Sequence, residues 1–268
     1  MRHRSSSLIF SSMVILLWCG LALFGSFLNL SPDQIKLEQI LTPPSYHEWF
    51  GYDDLGRSIS DRLITGAKTS FFVSVWVVLL SSIVGTIIGI IAAWRGGWLD
   101  LIIVRIIDIF LAFPGILLAI ALAGILGPGI NNIIIALTVV GWVGFARLAR
   151  AQTLSIKNRE HIQAAQALGT TTRRTLLRHV LPLIMAPLII EATFGIASVV
   201  IAEAGLSFLG LGIQPPTASW GTMIRDGTRY MLVAPHMVIA PGLALCLVVL
   251  SVNMLGDKLR DKMDIKES

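Results

Sequence analysis

Ser70–Trp94 reads SFFVSVWVVLLSSIVGTIIGIIAAW, and no charged side chain interrupts it. Hydrocarbon about 30 Å thick is crossed by roughly 20 residues of helix, so this stretch alone is long enough to span a bilayer. Outward from it, apolar runs of similar length recur at Leu8–Leu30, Leu101–Leu126, Ile130–Ala151, Val180–Gly205 and His236–Gly256. The runs are long and continuous, whereas barrel strands are short and alternate in polarity, so helices are predicted. The expected fold is an all-α integral membrane protein with six transmembrane helices. Composition agrees: of 268 residues, 54% are hydrophobic and 14% charged. An ordinary soluble domain carries roughly a quarter charged residues, so a water-soluble globule is excluded.

The first run follows Arg2 and Arg4, a pattern shared with secretory signal peptides. Its length and the lack of an A-x-A-like cleavage site after it favour a retained span. Cys19 and Cys246 both lie within apolar runs and offer neither a disulfide framework nor a metal-ligand spacing. No metal or cofactor is expected. The net charge of +5 does not point to nucleic acid, because the unbalanced positive charge is concentrated in one short connection. Arg147, Arg150, Lys157, Arg159, Arg173, Arg174 and Arg178 face the single acid Glu160 there. The positive-inside rule places that connection in the cytoplasm. Six spans then put both termini inside, and the acidic excess of Ser31–Thr69 falls outside.

The expected organisation is an N-terminal helix with an external segment (1–69), a five-helix core (70–256) enclosing a connection at 152–179, and a cytoplasmic tail (257–268). Trp49, Trp76, Trp94, Trp98 and Trp220 lie at or just beyond span ends, as membrane-interface belts do, although packing roles would place them equally well. Gly85, Gly89 and Ala93 align small residues on one helical face, a spacing that admits a second backbone. Pro114 with Gly115, and Pro187, are expected to kink or loosen their helices.

The connection NREHIQAAQALGTTTRRTLLRHVLP (Asn158–Pro182) carries the functional signal. Asn158 is suited to cap a short helix with Ile162, Ala165 and Leu168 on one face. Gly169 is suited to stop it, and Thr170–Thr172 to start another. Ala164, Ala165 and Ala167 keep the helix slim. Two readings stay open from residue types alone: a helix that seats in a partner's groove, or an interfacial helix resting on lipid headgroups.

Gln163-Ala164-Ala165, then Gly169, then Leu181-Pro182, resembles the E-A-A…G…LP loop of binding-protein-dependent ABC importer permeases. Gln163 stands where that pattern has an acid. The resemblance implies that Gln163, Ala164, Ala165 and Gly169 form a coupling helix, between the fourth and fifth spans, that docks on a cytoplasmic ATPase. It extends to FGYDDLGRSISDRLITGAKTS (Phe50–Ser70), DIFLAFPGILLAI (Asp108–Ile120), LGPGINNIIIAL (Leu126–Leu137), EAGLSFLGLGIQPPTASWGTMIRDG (Glu203–Gly227) and NMLGDKLRDKMD (Asn253–Asp264). These strings are similar to the C-type permease of dipeptide, oligopeptide and nickel importers. A second homologous permease, two cytoplasmic ATPase subunits, an external substrate-binding protein and a bacterial inner-membrane location are implied by that likeness. Cargo is expected to be peptide, with nickel or a metal chelate as the alternative.

An ATP site of its own would need G-x-x-x-x-G-K-[ST], and the nearest imitation, Gly66-Ala67-Lys68-Thr69, lacks the upstream glycine and lies on the external side. His47, His161, His179 and His236 do not converge on a nucleophile or an H-E-x-x-H motif, so no catalytic residues are assigned. Within the runs, Glu191 near mid-depth and Glu203 near the external end are candidate pathway or gate residues, because a charge in hydrocarbon is costly and usually faces a cavity or a partner. The competing reading for Glu191 is a carboxyl hydrogen-bonded between helices, and for Glu203 a loop anchor. Arg105 and Asp108 are expected to form a structural i,i+3 pair. The leading function is alternating access driven by external ATPases. A secondary transporter or channel would show inverted repeats or dense intramembrane carboxylates, and a purely structural scaffold is the third class.

Overall fold

The computed structural model describes residues 2–264, with side chains described for 8–263. Helix dominates, and among the described residues the only β pairing is an isolated Tyr52–Ser58 bridge. The chain runs through α1 (Arg2–Phe24), α2 (Ile59–Arg95), α3 (Gly97–Leu111), α4 (Gly115–Leu126), α5 (Ile130–Ile156) and α6 (Glu160–Ala167). It continues through α7 (Thr172–Thr175), a π-helical turn at Leu176–Val180, α8 (Leu181–Phe208), α9 (Trp220–Thr228) and α10 (His236–Asp264). Among the described residues, five helical segments are long and apolar enough to cross a membrane, or six if α3 and α4 together form one span.

That third span differs most from expectation. The run Leu101–Leu126 is two helices bent by 86°, not one kinked rod. Proline lacks an N–H and disfavours helical geometry in the residue before it, so α3 ends at Leu111, and Pro114 becomes the N-cap of α4 with ψ 119°. The Pro114 carbonyl accepts from the Leu117 and Leu118 amides at 2.9 and 3.2 Å, restarting the ladder. Pro187, by contrast, lies inside an unbroken α8, and the irregular turn falls just before that helix, at Leu176–Val180.

The small-residue stripe on α2 does what its spacing predicts. A Cβ added to Gly85 would collide with the Trp142 carbonyl, and one added to Gly89 with the Ala146 carbonyl. Ala93, Ala146 and Ala149 are fully buried along the same α2–α5 seam. Side chains this small let two backbones approach without the penalty of leaving a void.

α2 begins eleven positions before its apolar run, at Ile59 rather than Ser70. Ser58 caps it, its Oγ accepting from the Asp61 amide at 3.1 Å and donating to Glu48 Oε1 at 3.0 Å. Trp76 therefore lies well inside the helix, not at its end. Trp220, 2% exposed, is a core residue whose Nε1 donates to the Leu63 carbonyl at 3.1 Å. Trp18 Nε1 likewise donates to the Ala67 carbonyl at 3.0 Å and stacks edge-on with Phe71, fastening α1 to α2.

The polar first turns of α2 anchor the segment before them. Arg62, 3% exposed, lies 3.5 Å from Asp53 and 3.8 Å from Asp33. Asp53 also accepts from Arg57 Nε at 2.7 Å and from the Leu55 and Arg57 amides at 2.9 Å. The neighbouring Asp54 is less well served: its Oδ1 is buried without a hydrogen-bond partner, 3.6 Å from Arg57 Nη2. Burial, reinforced by the Asp53 charge, holds its carboxyl above the usual range despite the opposing pull of Arg57. A raised carboxyl favours the folded state most when protonated. Its contribution is complete below the unfolded value near about 3.9 and is lost as pH rises through the raised folded value. Asp54→Asn is therefore expected to raise the thermal midpoint at pH 7 and leave it unchanged near pH 3.5. A midpoint that falls at pH 7 would contradict this account.

Candidate coupling and pathway sites

α6 hangs between two long helices and is held by one side chain. Ile162 is fully buried against Ile156, Val180 and Ile184. The helix starts one residue later than expected: Arg159 occupies the N-cap with no side-chain cap bond, while Asn158 lies exposed in the preceding turn. Gly169 ends it as expected, with φ +80°. Its amide bonds the Gln166 carbonyl at 2.9 Å and the Thr170 amide bonds the Ala165 carbonyl at 3.1 Å, the crossed pair of a Schellman motif that a left-handed glycine makes possible.

The expected face of Ile162, Ala165 and Leu168 is divided. Ala165 is half-buried, but Leu168 is 87% exposed. Leu168 is the C-cap, with ψ 6°, so it leaves the helical register just where the periodicity would have turned it inward. Gln163, Ala164 and Ala167 are exposed alongside it. One apolar side chain is thus left uncovered by the chain at the end of a helix of small residues, a surface suited to a shallow groove.

Two contacts fix the base of this connection. Arg150 donates to both carboxylate oxygens of Asp100, Nε at 2.6 Å and Nη2 at 2.7 Å, tying α5 to α3. Lys157 Nζ donates to the Ala93 carbonyl at 3.0 Å, tying the end of α5 to α2. Sequence reasoning used these basic residues only for orientation. Topology held the missing signal, since Asp100 opens the third apolar run and Arg150 closes the fourth, placing both at one depth. The expected Arg105–Asp108 pair does not form: both side chains are exposed and no ion pair joins them among the described residues. A cation that precedes its anion along a helix is the weaker order of such pairs, and water competes freely at both.

Glu203 is fully buried. Its Oε2 accepts from Ser70 Oγ at 2.9 Å and its Oε1 from Ser207 Oγ at 2.8 Å. Ser207 Oγ in turn accepts from the Ile213 amide at 3.4 Å. The carboxylate thereby joins α2 and α8 to the turn that follows α8. The same region is closed by Thr69 Oγ1 donating to the Ala218 carbonyl at 3.2 Å and by a Ser219–Thr222 capping box that starts α9. Gly212 and Gly221 abut Ser207 so tightly that a Cβ on either would clash. Ser207, one turn beyond Glu203, was readable in sequence; Ser70, 133 positions away, was not.

Glu191 is half-buried on α8, facing α5 closely enough that a Cβ on Gly144 would stand 3.1 Å from its Oε1. The structure does not bring it together with Glu203, which sits more than three turns along the same helix. Cys19 and Cys246 are unpaired, and no group of three metal-ligating side chains occurs among the described residues.

Against known proteins, the chain is similar to a dipeptide transport system permease protein, DppC, of Alkalihalophilus pseudofirmus, at 41% identity over 259 residues, 97% of this chain and 84% of that protein. It is similar to a glutathione transport system permease protein, GsiD, of Escherichia coli, at 44% identity over 223 residues, 83% of this chain and 74% of that one. In fold it resembles a chain of the inward-facing MetNI methionine ABC transporter, with TM-score 0.61 and 18% identity over 74% of this chain and 95% of that chain. At that identity the likeness speaks to fold alone. Residues 85–265, which include the α2–α5 seam, α6 and Glu203 with Ser207, match the family described as binding-protein-dependent transport system inner membrane component, and the chain belongs to that family.

Proposed function

We propose that the chain is one half of the translocation pathway of an ATP-driven importer of short peptides. α6 is its docking element for a cytoplasmic ATPase. The observation that carries this reading is the exposure of Leu168 beside Gln163, Ala164 and Ala167 on a helix pinned only through Ile162. An isolated interfacial helix would turn its apolar residues and its basic residues to the same membrane surface. Leu168 is uncovered by the rest of this chain and stands beside the neutral Gln163, Ala164 and Ala167, which suits a protein groove. The abundance of arginine and lysine around α6 supports a cytoplasmic placement, with both termini on that side.

The importer then comprises this chain, a second homologous permease, two ATPase subunits and an external binding protein. ATP is bound and hydrolysed by the partners, and this chain transmits movement through 152–179. Gln163, where related loops carry an acid, lowers the charge that the coupling face presents. Glu203 acts as the anchor of the external turn rather than as a gate, because both its oxygens are taken by serine hydroxyls. Glu191 remains the candidate pathway carboxylate at mid-depth. The peptide assignment rests on the dipeptide and glutathione relatives.

ATP hydrolysis by the reconstituted complex tests the reading, with the binding protein supplied empty or loaded with a dipeptide, glutathione or nickel. Stimulation by either peptide is expected. Stimulation by nickel alone would overturn the cargo, and failure of any ATPase to assemble with the chain would overturn the function.

A further inference from the structure

A groove of about 1020 Å³ lies between the second half of α2 and the start of the α7–α8 segment. Neither its position nor its lining belongs to the coupling helix or to Glu191 and Glu203. On α2 the lining extends from Ser82 to Arg95, a rise of about 20 Å, somewhat more than the half-thickness of bilayer hydrocarbon, about 15 Å. Its walls are Ile83, Ile87, Ile90, Leu176, Met185 and Ile189, among others. α2 enters this region as α8 leaves it, so Arg95 and Arg173 lie at the same end of the groove, the end bearing the basic connection. Trp94 lies there too, half-buried. Both arginines are exposed, and neither forms an ion pair among the described residues.

We infer that this groove is a site for an anionic glycerophospholipid, its phosphate held by Arg95 and Arg173 and one acyl chain lying along the apolar wall toward Ser82 and Ala192. Two guanidiniums at a membrane rim call for a phosphate, and the wall beyond them calls for hydrocarbon; a phospholipid satisfies both at once. A peptide laid along the apolar wall would find only the hydroxyls of Ser82 and Thr86 to answer its amides, with Thr172 at the arginine end. The hydroxyl of Ser82 is already donated to the Leu79 carbonyl at 2.9 Å. An apolar helix of a partner subunit would fill the wall and leave the arginines uncompensated. A lipid bound here would bridge α2 to the segment that emerges from α6.

Trp94 reports on its own groove. The full chain, purified with its partner subunits, is reconstituted in phosphatidylcholine vesicles that contain graded amounts of dibrominated phosphatidylglycerol or dibrominated phosphatidylcholine. The difference in fluorescence quenching between the native chain and Trp94→Phe isolates this residue. Half-maximal quenching is expected at a roughly tenfold lower mole fraction of the anionic lipid. Arg95→Gln with Arg173→Gln should remove that preference, and the paired lysine substitutions should keep most of it. Equal quenching by both lipids in the native chain would overturn the site. So would quenching by neither, which would mean that protein covers the groove, or a preference that survives in the double glutamine variant.

Discussion

Leu168→Asp is expected to abolish ATP-driven uptake and release the ATPase subunits from the purified complex, while leaving the folded chain intact. Leu168 is 87% exposed, and substitutions at such positions usually change stability by within about 0.5 kcal/mol. Docking reverses its situation. Burying a leucine in a partner's groove is worth about 1.5–3 kcal/mol, and an unpaired carboxylate forced into the same place adds a desolvation cost that exceeds this. Each 1.4 kcal/mol is a factor of ten, so affinity for the ATPase should fall roughly hundredfold or more. Co-purification and transport assays on one preparation read both effects, and circular dichroism confirms the helices. Uptake that continues undiminished would show that α6 does not dock through this face. Ala165→Glu, on the half-buried flank, provides a second disruption of the same helix.

The second large effect concerns Glu203. Glu203→Leu should lower the thermal midpoint by roughly 10 °C, because it leaves the hydroxyls of Ser70 and Ser207 buried with no acceptor at about 1–3 kcal/mol each. The turn after α8 would lose its tie to α2 as well. Glu203→Gln keeps a carbonyl acceptor and should lose considerably less. The contrast separates an anchor from a gate: a gating carboxylate would show impaired transport in the glutamine variant at unchanged stability. That outcome would reject the anchoring role.

How far the sequence reached depended on the range of the interactions involved. The apolar runs were legible because membrane burial leaves a continuous hydrophobic record. The Gly85–Gly89 stripe was legible because close packing leaves a periodic one. Gly169 was readable from the chemistry of its own turn. What escaped were features decided elsewhere in the chain. The first three turns of α2 look polar, and they are helical because Asp53, Asp33 and the Ser58 cap receive their charges and amides. The pairing of Arg150 with Asp100 joins residues 50 positions apart. The 86° bend at Pro114 was anticipated in kind but not in extent, since proline marks where a helix fails and tertiary packing sets the angle. Leu168 was misplaced by a single residue of helix fraying.

The seam between α2 and α5 also constrains how force can travel. Where Gly85 and Gly89 lie against the Trp142 and Ala146 carbonyls the backbones cannot slide past one another without collision, and Lys157 fastens the end of α5 to the Ala93 carbonyl. If α6 docks as proposed, a push delivered there would not be absorbed by bending at that joint. α2 and α5 would then swing as a single stiff lever whose far end lies beside Ser70, and a displacement begun at one membrane face would arrive at the other as a tilt of the whole arm.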